Sequence, residues 1–506
     1  MQLPNLRALR RYHAVFFLGL FLFFLVVNDF RHMRGYETSL FLELDPLTAL
    51  GGFLTSHTLY KGLAWSLVIL LPTLFFGRFF CSWVCPLGIL NQGISHFFNH
   101  RRPVDAYKLN AYRPVFRVKY YLLAALLILA GMGALQTGLL DPIALLERSM
   151  IVAILPAMHG KAWDFYQHQP YFHGGILITL LVLAILLANR FLTRFWCRVL
   201  CPLGALLGVF SLRAPFRIRR DVDRCSACSR CLQFCQGGCD PHAELRVSEC
   251  HLCMNCIEAC PEDALHFGLA QPRSSVQQPL DLGRRRLVET GVTALALYPM
   301  LRTSRSAYSN PAPDVIRPPG SLPEADFLAR CIKCAACMRV CPTNVLQPAL
   351  LESGLEGLWT PILINTQGYC EHHCVLCGQV CPTAAIRPVP IAEKIGNKPY
   401  THPIKLGTAF FDRGRCLPWA MHIPCIVCEE MCPTSPKAIW FQSVTIPGRD
   451  GKPVDLKQPF VEPARCIGCG ICENKCPVVD QAAIRVTSVG ETRSQRNRMI
   501  LKGDIS

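Results

Sequence analysis

Residues 78–88 read Arg78-Phe79-Phe80-Cys81-Ser82-Trp83-Val84-Cys85-Pro86-Leu87-Gly88, and the frame returns at 194–204 as Arg194-Phe195-Trp196-Cys197-Arg198-Val199-Leu200-Cys201-Pro202-Leu203-Gly204. Each copy closes an apolar stretch that is itself preceded by Asp-Pro, at Asp45-Pro46 and Asp141-Pro142. Cysteines four apart on a helix put both thiols on one face. The proline that follows lacks a backbone N–H, so the helix is expected to bend or stop there. Brought together by the repeat, Cys81, Cys85, Cys197 and Cys201 predict a four-thiol redox or cofactor-binding site whose ligand the sequence does not name. The alternative is that cysteine serves as a small buried residue at a helix crossing.

Outward from these motifs run four apolar segments: His13–Val27, Leu59–Phe76, Tyr120–Leu135 and Gly174–Ala188. Each approaches the ~17–25 residues a bilayer span needs. Hydrophobic residues make up 51% of the 506-residue chain against 17% charged, which fits a membrane protein. The expected fold is therefore an α-helical membrane bundle of four spans with an internal two-fold repeat. The segment 100–119 carries Arg101, Arg102, Lys108, Arg113, Arg117 and Lys119, whereas 141–173 offers only Arg148 and Lys161. Positive charge marks the cytoplasmic side, so both ends of the four-span unit are expected there. The formal charge of +17 sits in short runs beside apolar segments, with no basic–aromatic reader motif, which argues against a nucleic-acid partner.

Of the 29 cysteines, 24 fall into six quartets after span four. Cys225, Cys228, Cys231 and Cys235 follow C-x2-C-x2-C-x3-C, and Cys250, Cys253, Cys256 and Cys260 repeat it with Pro261 behind. This is the bacterial ferredoxin run, in which three close thiolates hold one [4Fe–4S] cube and the fourth reaches to its neighbour. Cys260 is thus expected with the first trio and Cys235 with the second. Cys235 is followed by Gln236 instead of proline, and Cys239 is left spare.

Four further quartets follow: Cys331, Cys334, Cys337, Cys341; Cys370, Cys374, Cys377, Cys381, with one residue added in the first gap; Cys416, Cys425, Cys428, Cys432, with that gap widened to eight; and Cys466, Cys469, Cys472, Cys476. Six [4Fe–4S] clusters in α+β ferredoxin-like modules are expected, with the pairing among the last four quartets open between sequential and nested. Three cysteines before a Cys-Pro do not suit a zinc ribbon, and no C-x-x-C-H haem motif occurs. Between the cysteine-rich regions, Arg284-Arg285-Arg286 leads an apolar stretch, Leu287–Leu301, like a twin-arginine export signal inside the chain. If it spans the membrane, the last four clusters lie outside the cytoplasm; a buried or interfacial helix is the competing reading. The expected divisions are 1–212 for the bundle, 213–270 for a cytoplasmic two-cluster module, 271–320 for the linker, and 321–506 for a periplasmic four-cluster domain.

The four-span unit with two C-x3-C-Pro-Leu-Gly motifs and a two-cluster module resembles the NapH-type membrane subunit of periplasmic nitrate reductase systems, a fold shared with NosR-like and MauN-like proteins. The arginine-led helix with its four quartets, including the widely spaced Cys416–Cys432 set, resembles the NapG-type ferredoxin subunit, as if the two were fused. The resemblance implies a multi-pass protein of the bacterial inner membrane that oxidises quinol from the quinone pool. Electrons would pass to a periplasmic reductase or another redox protein such as a cytochrome c. The extra-residue quartet at Cys370 departs from the NapG spacing. No catalytic acid–base or nucleophilic constellation is evident; Asp45 and Asp141 are proton-handling candidates or helix caps. The rival reading is metal (copper) reduction or oxidase assembly, with the four membrane cysteines as the working site.

Overall fold

The computed structural model describes residues 6–28, 39–58, 61–99, 108, 110–162, 171–243, 245–269, 280, 282–302, 314–447 and 453–498. The helical part comprises α1 (Leu6–Val27), α2 (Pro46–Ser56), α3 (Lys61–Phe76), α4 (Pro86–Asn99), α5 (Val118–Gly131), α6 (Pro142–Ser149), α7 (Gly175–Ala188) and α8 (Pro202–Phe210). Asp45 caps α2 by accepting from Leu47 N at 2.8 Å, and Asp141 caps α6 by accepting from Ile143 N and Ala144 N, both at 2.9 Å. In each case proline takes the first helical position, where a missing N–H costs nothing.

Both cysteines of each motif are expected on one helix that bends or stops at the proline; the chain does stop there, but before the second cysteine, and restarts on the proline. Cys81 sits in the short helix Phe80–Trp83 and Cys197 in the π-helical Trp196–Leu200, while the second cysteine of each pair precedes a new helix that opens on proline. Cys201 caps α8 through its thiol, which accepts from Gly204 N at 3.2 Å. Glycine is required at the matching place in the first copy, because a Cβ on Gly88 would lie 2.3 Å from the Cys81 carbonyl oxygen.

Among the described residues two helices are long and apolar enough to cross a membrane, Leu6–Val27 and Pro114–Gly131, the second including the turn before α5. The other two expected spans are apolar helices of fewer than 18 residues. The third ends at Gly131, earlier than expected, because the chain turns at Gly133 with φ +92°. The bundle exposes apolar side chains on its outside and carries polar pairs within its apolar core. Leu67, Val68, Leu71 and Phe75 of α3 and Ile176, Leu177, Leu180 and Leu183 of α7 are exposed. Within, Asn189 donates to Asn91 at 2.8 Å, and Gln92 accepts from both Arg10 and Arg194 at 2.7 Å. So large an exposed apolar surface marks a membrane or partner contact.

Helix α9 (Arg284–Arg302) lies along α5, with Ala294, Tyr298 and Leu301 against Ala125, Ile128 and Leu129, and with Arg302 donating to Gly133 O at 2.8 Å. Among the described residues the cysteine-rich parts carry four two-stranded antiparallel sheets: β1 (Phe216–Arg220) with β2 (Leu265–Leu269), β3 (Leu346–Pro348) with β4 (Pro361–Leu363), β5 (Thr408–Phe411) with β8 (Ile484–Thr487), and β6 (Ile439–Pro447) with β7 (Pro453–Val461).

Their placement relative to α5 organises the molecule. At its start, Lys119 and Tyr120 bind the Glu249 carboxylate of the first module. Past its end, Gln136 accepts from Lys333 Nζ at 2.6 Å, and Arg302 pairs with Glu356. A 14-residue helix is about 20 Å long. The two cysteine-rich parts therefore sit against opposite ends of the bundle.

Candidate metal centres

Cavities lined by four cysteines recur through both cysteine-rich parts. In the first module Cys225, Cys228, Cys231 and Cys260 line one. In the C-terminal part Cys331, Cys334 and Cys337 stand with Cys381, while Cys370, Cys374 and Cys377 stand with Cys341. Further on, Cys416, Cys425 and Cys428 stand with Cys476, and Cys466, Cys469 and Cys472 with Cys432. Each trio is thus completed by the fourth cysteine of the adjacent quartet, and the arrangement is two successive exchanged pairs with no nesting. In the first module Cys250, Cys253 and Cys256 are within electrostatic reach of Cys235. Cys239, left over by the spacing, has its Sγ 3.3 Å from that of Cys235.

Four thiols around a cavity are the donor set of an iron–sulfur cube, and the backbone is arranged for sulfur that carries charge. Ala264 N points at Cys260 Sγ at 3.3 Å, and Ile386 N, Ala409 N and Ala483 N point at Cys381, Cys466 and Cys476 at 3.4 Å. Among the described residues no group of three or more histidine, cysteine or acidic side chains converges on a single-ion site. Burial pushes the bare Cys231 and Cys428 thiols up to about 12, so metal binding is what turns them into thiolates. The residues fit the [4Fe–4S] group.

The irregular quartets have local explanations. Lys394, 4% exposed, reaches into the lengthened Cys370–Cys374 gap, donating to Cys370 Sγ at 3.2 Å and to the carbonyls of Glu371 and Cys374 at 2.5 and 2.7 Å. The eight-residue gap after Cys416 is filled by a helical turn, Leu417–Met421, whose Trp419 packs edge-on against Phe460 and donates to Pro459 O at 3.2 Å. Neither feature has a signal in the spacing, since lysine and tryptophan are ordinary surface and core residues.

The four membrane-motif cysteines are all buried and lie together, Cys201 being within electrostatic reach of Cys197, Cys81 and Cys85. They sit at the end that meets the first module. Arg78 donates to Ser248 O at 2.5 Å, and Trp83 Nε1 to Leu252 O at 3.1 Å. Arg10, Arg78, Lys119, Arg194 and Arg198 are buried at this end, and Glu249 is the carboxylate that pairs with Arg78 and Lys119. Buried cations are costly unless compensated, and each of these lies within electrostatic reach of a cysteine sulfur or of Glu249. Arg78 feels Cys81 and Cys201, Arg10 feels Cys253, and Arg198 feels Cys235.

Deeper in the bundle, Asp45 and Asp141 are both fully buried, with their carboxyls beside each other. Both are helix caps: one oxygen of each serves its helix, and Oδ2 of each has no hydrogen-bond partner among the described residues. Two carboxylates in contact away from water cannot both ionise, so the pair holds a proton. Asp141 is within electrostatic reach of Cys85 on one side and Arg148 on the other, and Arg148 in turn of Cys331 and Cys334.

Comparison with known proteins bears on this arrangement. A 4Fe-4S binding domain model matches residues 58–105 and 172–220, the two copies of the membrane motif, and a second of the same description matches 244–266 and 328–347. The methylamine utilization ferredoxin-type protein MauM of Methylorubrum extorquens is 35% identical over 215 residues, 41% of this chain and 90% of MauM. The chain belongs to the ferredoxin-type electron-transport family. It is an iron–sulfur electron-transfer protein. Within this family YccM of Escherichia coli is 35% identical over 202 residues, 39% of this chain, which spans about half (52%) of that relative. The ferredoxin-type protein NapH of the same species is 26% identical over 278 residues, 50% of this chain and 86% of NapH. The expected kinship with NapH-type and NosR-like proteins is met. No solved structure matches the chain.

Proposed function

We propose that this protein oxidises quinol at a bacterial inner membrane and relays the electrons through six [4Fe–4S] clusters to a periplasmic redox partner. The observation that carries the reading is the placement of two cysteine-rich parts at opposite ends of one helical bundle, with four thiols and a carboxylate pair between them. On this reading residues 1–212 form a four-span bundle with a two-fold repeat, 213–270 a cytoplasmic module, 271–320 a linker containing a fifth span, and 321–506 a periplasmic domain. The repeated order of capped helix, apolar helix and Cys-Pro restart supports the two-fold repeat, and the lie of α9 along α5 supports the fifth span.

The cluster ligands are the six exchanged thiol sets, and each cube when bound takes up and gives up one electron. The protein's own part is to hold, insulate and bridge. Arg78, Arg194 and Lys119 stand within electrostatic reach of Cys197, one of the four membrane-motif cysteines that link the two ends, and would offset negative charge on its sulfur. The Asp45–Asp141 pair keeps one carboxylate able to accept a proton released by quinol. Arg148, seated over Trp359 at 4.2 Å and donating to Lys333 O at 3.0 Å, fixes the Cys331 site against the far end.

The test is to add a quinol analogue to the purified full chain and follow the clusters by EPR. Reduction by quinol supports the reading; clusters that respond only to dithionite overturn it. An epitope after Ser506 that is reached only from the cytoplasm overturns the periplasmic placement.

A further inference from the structure

The first module holds one thiol more than its two clusters need. Each cube takes four protein thiolates, and Cys225, Cys228, Cys231 and Cys260 complete one site. The other has Cys250, Cys253 and Cys256 and two claimants for the fourth position, Cys235 and Cys239, whose sulfurs are 3.3 Å apart and which are 3% and 4% exposed. Cys239 also has its thiol within hydrogen-bonding reach of Cys250, a member of the trio, and its N–H points at Cys235 Sγ at 3.4 Å.

The surroundings hold Cys239 in this place. A Cβ on Gly237 would lie 2.4 Å from Glu249 O, and one on Gly238 2.6 Å from Arg198 Nη2, so the loop between the two cysteines is pressed against both. Beyond it, Arg246 donates its N–H to Cys239 O at 3.0 Å, and its side chain pairs with Asp240 and stacks over Tyr112 at 4.1 Å. The fifth thiol is packed against the cluster site by the fold.

We infer that Cys235 and Cys239 are interchangeable ligands for one coordination position of the cluster completed by Cys250, Cys253 and Cys256. The exchange is a ligand substitution without redox change: Cys239 loses its thiol proton as its sulfur binds iron, and the released Cys235 thiolate takes a proton up. The unbound partner, 3.3 Å away, then donates its S–H to the bound sulfur. This cluster, whose trio flanks the Ser248 and Leu252 carbonyls bound by Arg78 and Trp83 of the membrane motif, thereby keeps a full ligand set when one thiol is oxidised or modified.

The experiment uses the full chain with Cys235→Ser, Cys239→Ser and both together, reading iron and acid-labile sulfide per chain and the EPR spectrum after dithionite reduction. Each single variant is expected to retain the wild-type iron content, with the signal of this cluster altered in shape in Cys235→Ser. The double variant is expected to lose iron and sulfide equal to one cube and to keep the signal of the Cys225 cluster, which shows that the module is folded. Loss of one cube in either single variant overturns the inference, since one cysteine is then the sole ligand. Retention of all iron in the double variant overturns it as well. None of these readouts depends on reaction with quinol.

Discussion

At the scale of single residues, charge placed beside sulfur controls both stability and potential. Lys394 donates to Cys370 Sγ from a buried position, so Lys394→Met should lower the reduction potential of the cluster held by Cys341, Cys370, Cys374 and Cys377. The expected change is on the order of 60 mV, one charged hydrogen bond of about 1.4 kcal/mol on a one-electron couple. A redox titration by EPR with unchanged iron content checks it; an unmoved potential overturns the role.

Glu324 anchors the C-terminal part by accepting from Arg317 at 2.5 Å and from Arg493 at 2.6 Å. Burial works against its charge, but the two guanidiniums prevail and hold its carboxyl down at about 2, against 4.5 for an ordinary glutamate. A depressed folded value means that the contribution to stability is complete above about pH 4.5 and is lost as pH falls through about 2. Glu324→Gln should therefore destabilise this part at pH 7 by about 3 kcal/mol, since buried Arg317 loses its carboxylate and Arg493 keeps only Glu491, and should flatten the acid limb of its unfolding curve. Thermal melts of the variant at pH 7 and pH 3 measure both effects.

At the scale of elements, the joint between the C-terminal part and the bundle depends on a close backbone approach. A Cβ on Gly138 would lie 2.0 Å from Ile332 O, next to the Cys331 site. Gly138→Ala should push the two apart and expose the 314–330 segment to protease, at a cost of about 1–3 kcal/mol. Limited proteolysis reads the change, and an unaltered cleavage pattern would show that the joint tolerates the methyl. The short helices behave similarly. The Cys-Pro restarts that open α4 and α8 set the thiols at helix starts and not along one helix face, so the spacing of four had a different geometric meaning from the one an unbroken helix gives it.

At the scale of the whole molecule, the proposed quinol oxidation would need electrons and protons to share a way through the bundle. If the carboxylate pair takes the quinol proton, Asp45→Asn and Asp141→Asn should each slow cluster reduction by quinol at least about tenfold, in line with the loss of a proton acceptor, while leaving dithionite reduction intact. Stopped-flow reduction at the cluster absorbance separates the two, and equal slowing with both reductants would assign the pair a structural role only.

The sequence by itself determined the repeated cysteine motif, the six quartets and the exchange of fourth ligands expected in the first module, because ligand spacing is a local property enforced by a chain that must wrap a cube. It also marked Asp45 and Asp141 as equivalent positions. Only the tertiary structure decided that the two aspartates touch, that Lys394 enters the lengthened loop, that Cys239 stands beside Cys235, and that the last four quartets exchange in adjacent pairs. It alone set the two cysteine-rich parts at opposite ends of α5. These are contacts between residues distant along the chain, fixed by how helices and hairpins pack, and no local spacing encodes them. The repeated Cys-Pro motif specifies where thiols can be; packing decides which of them meet.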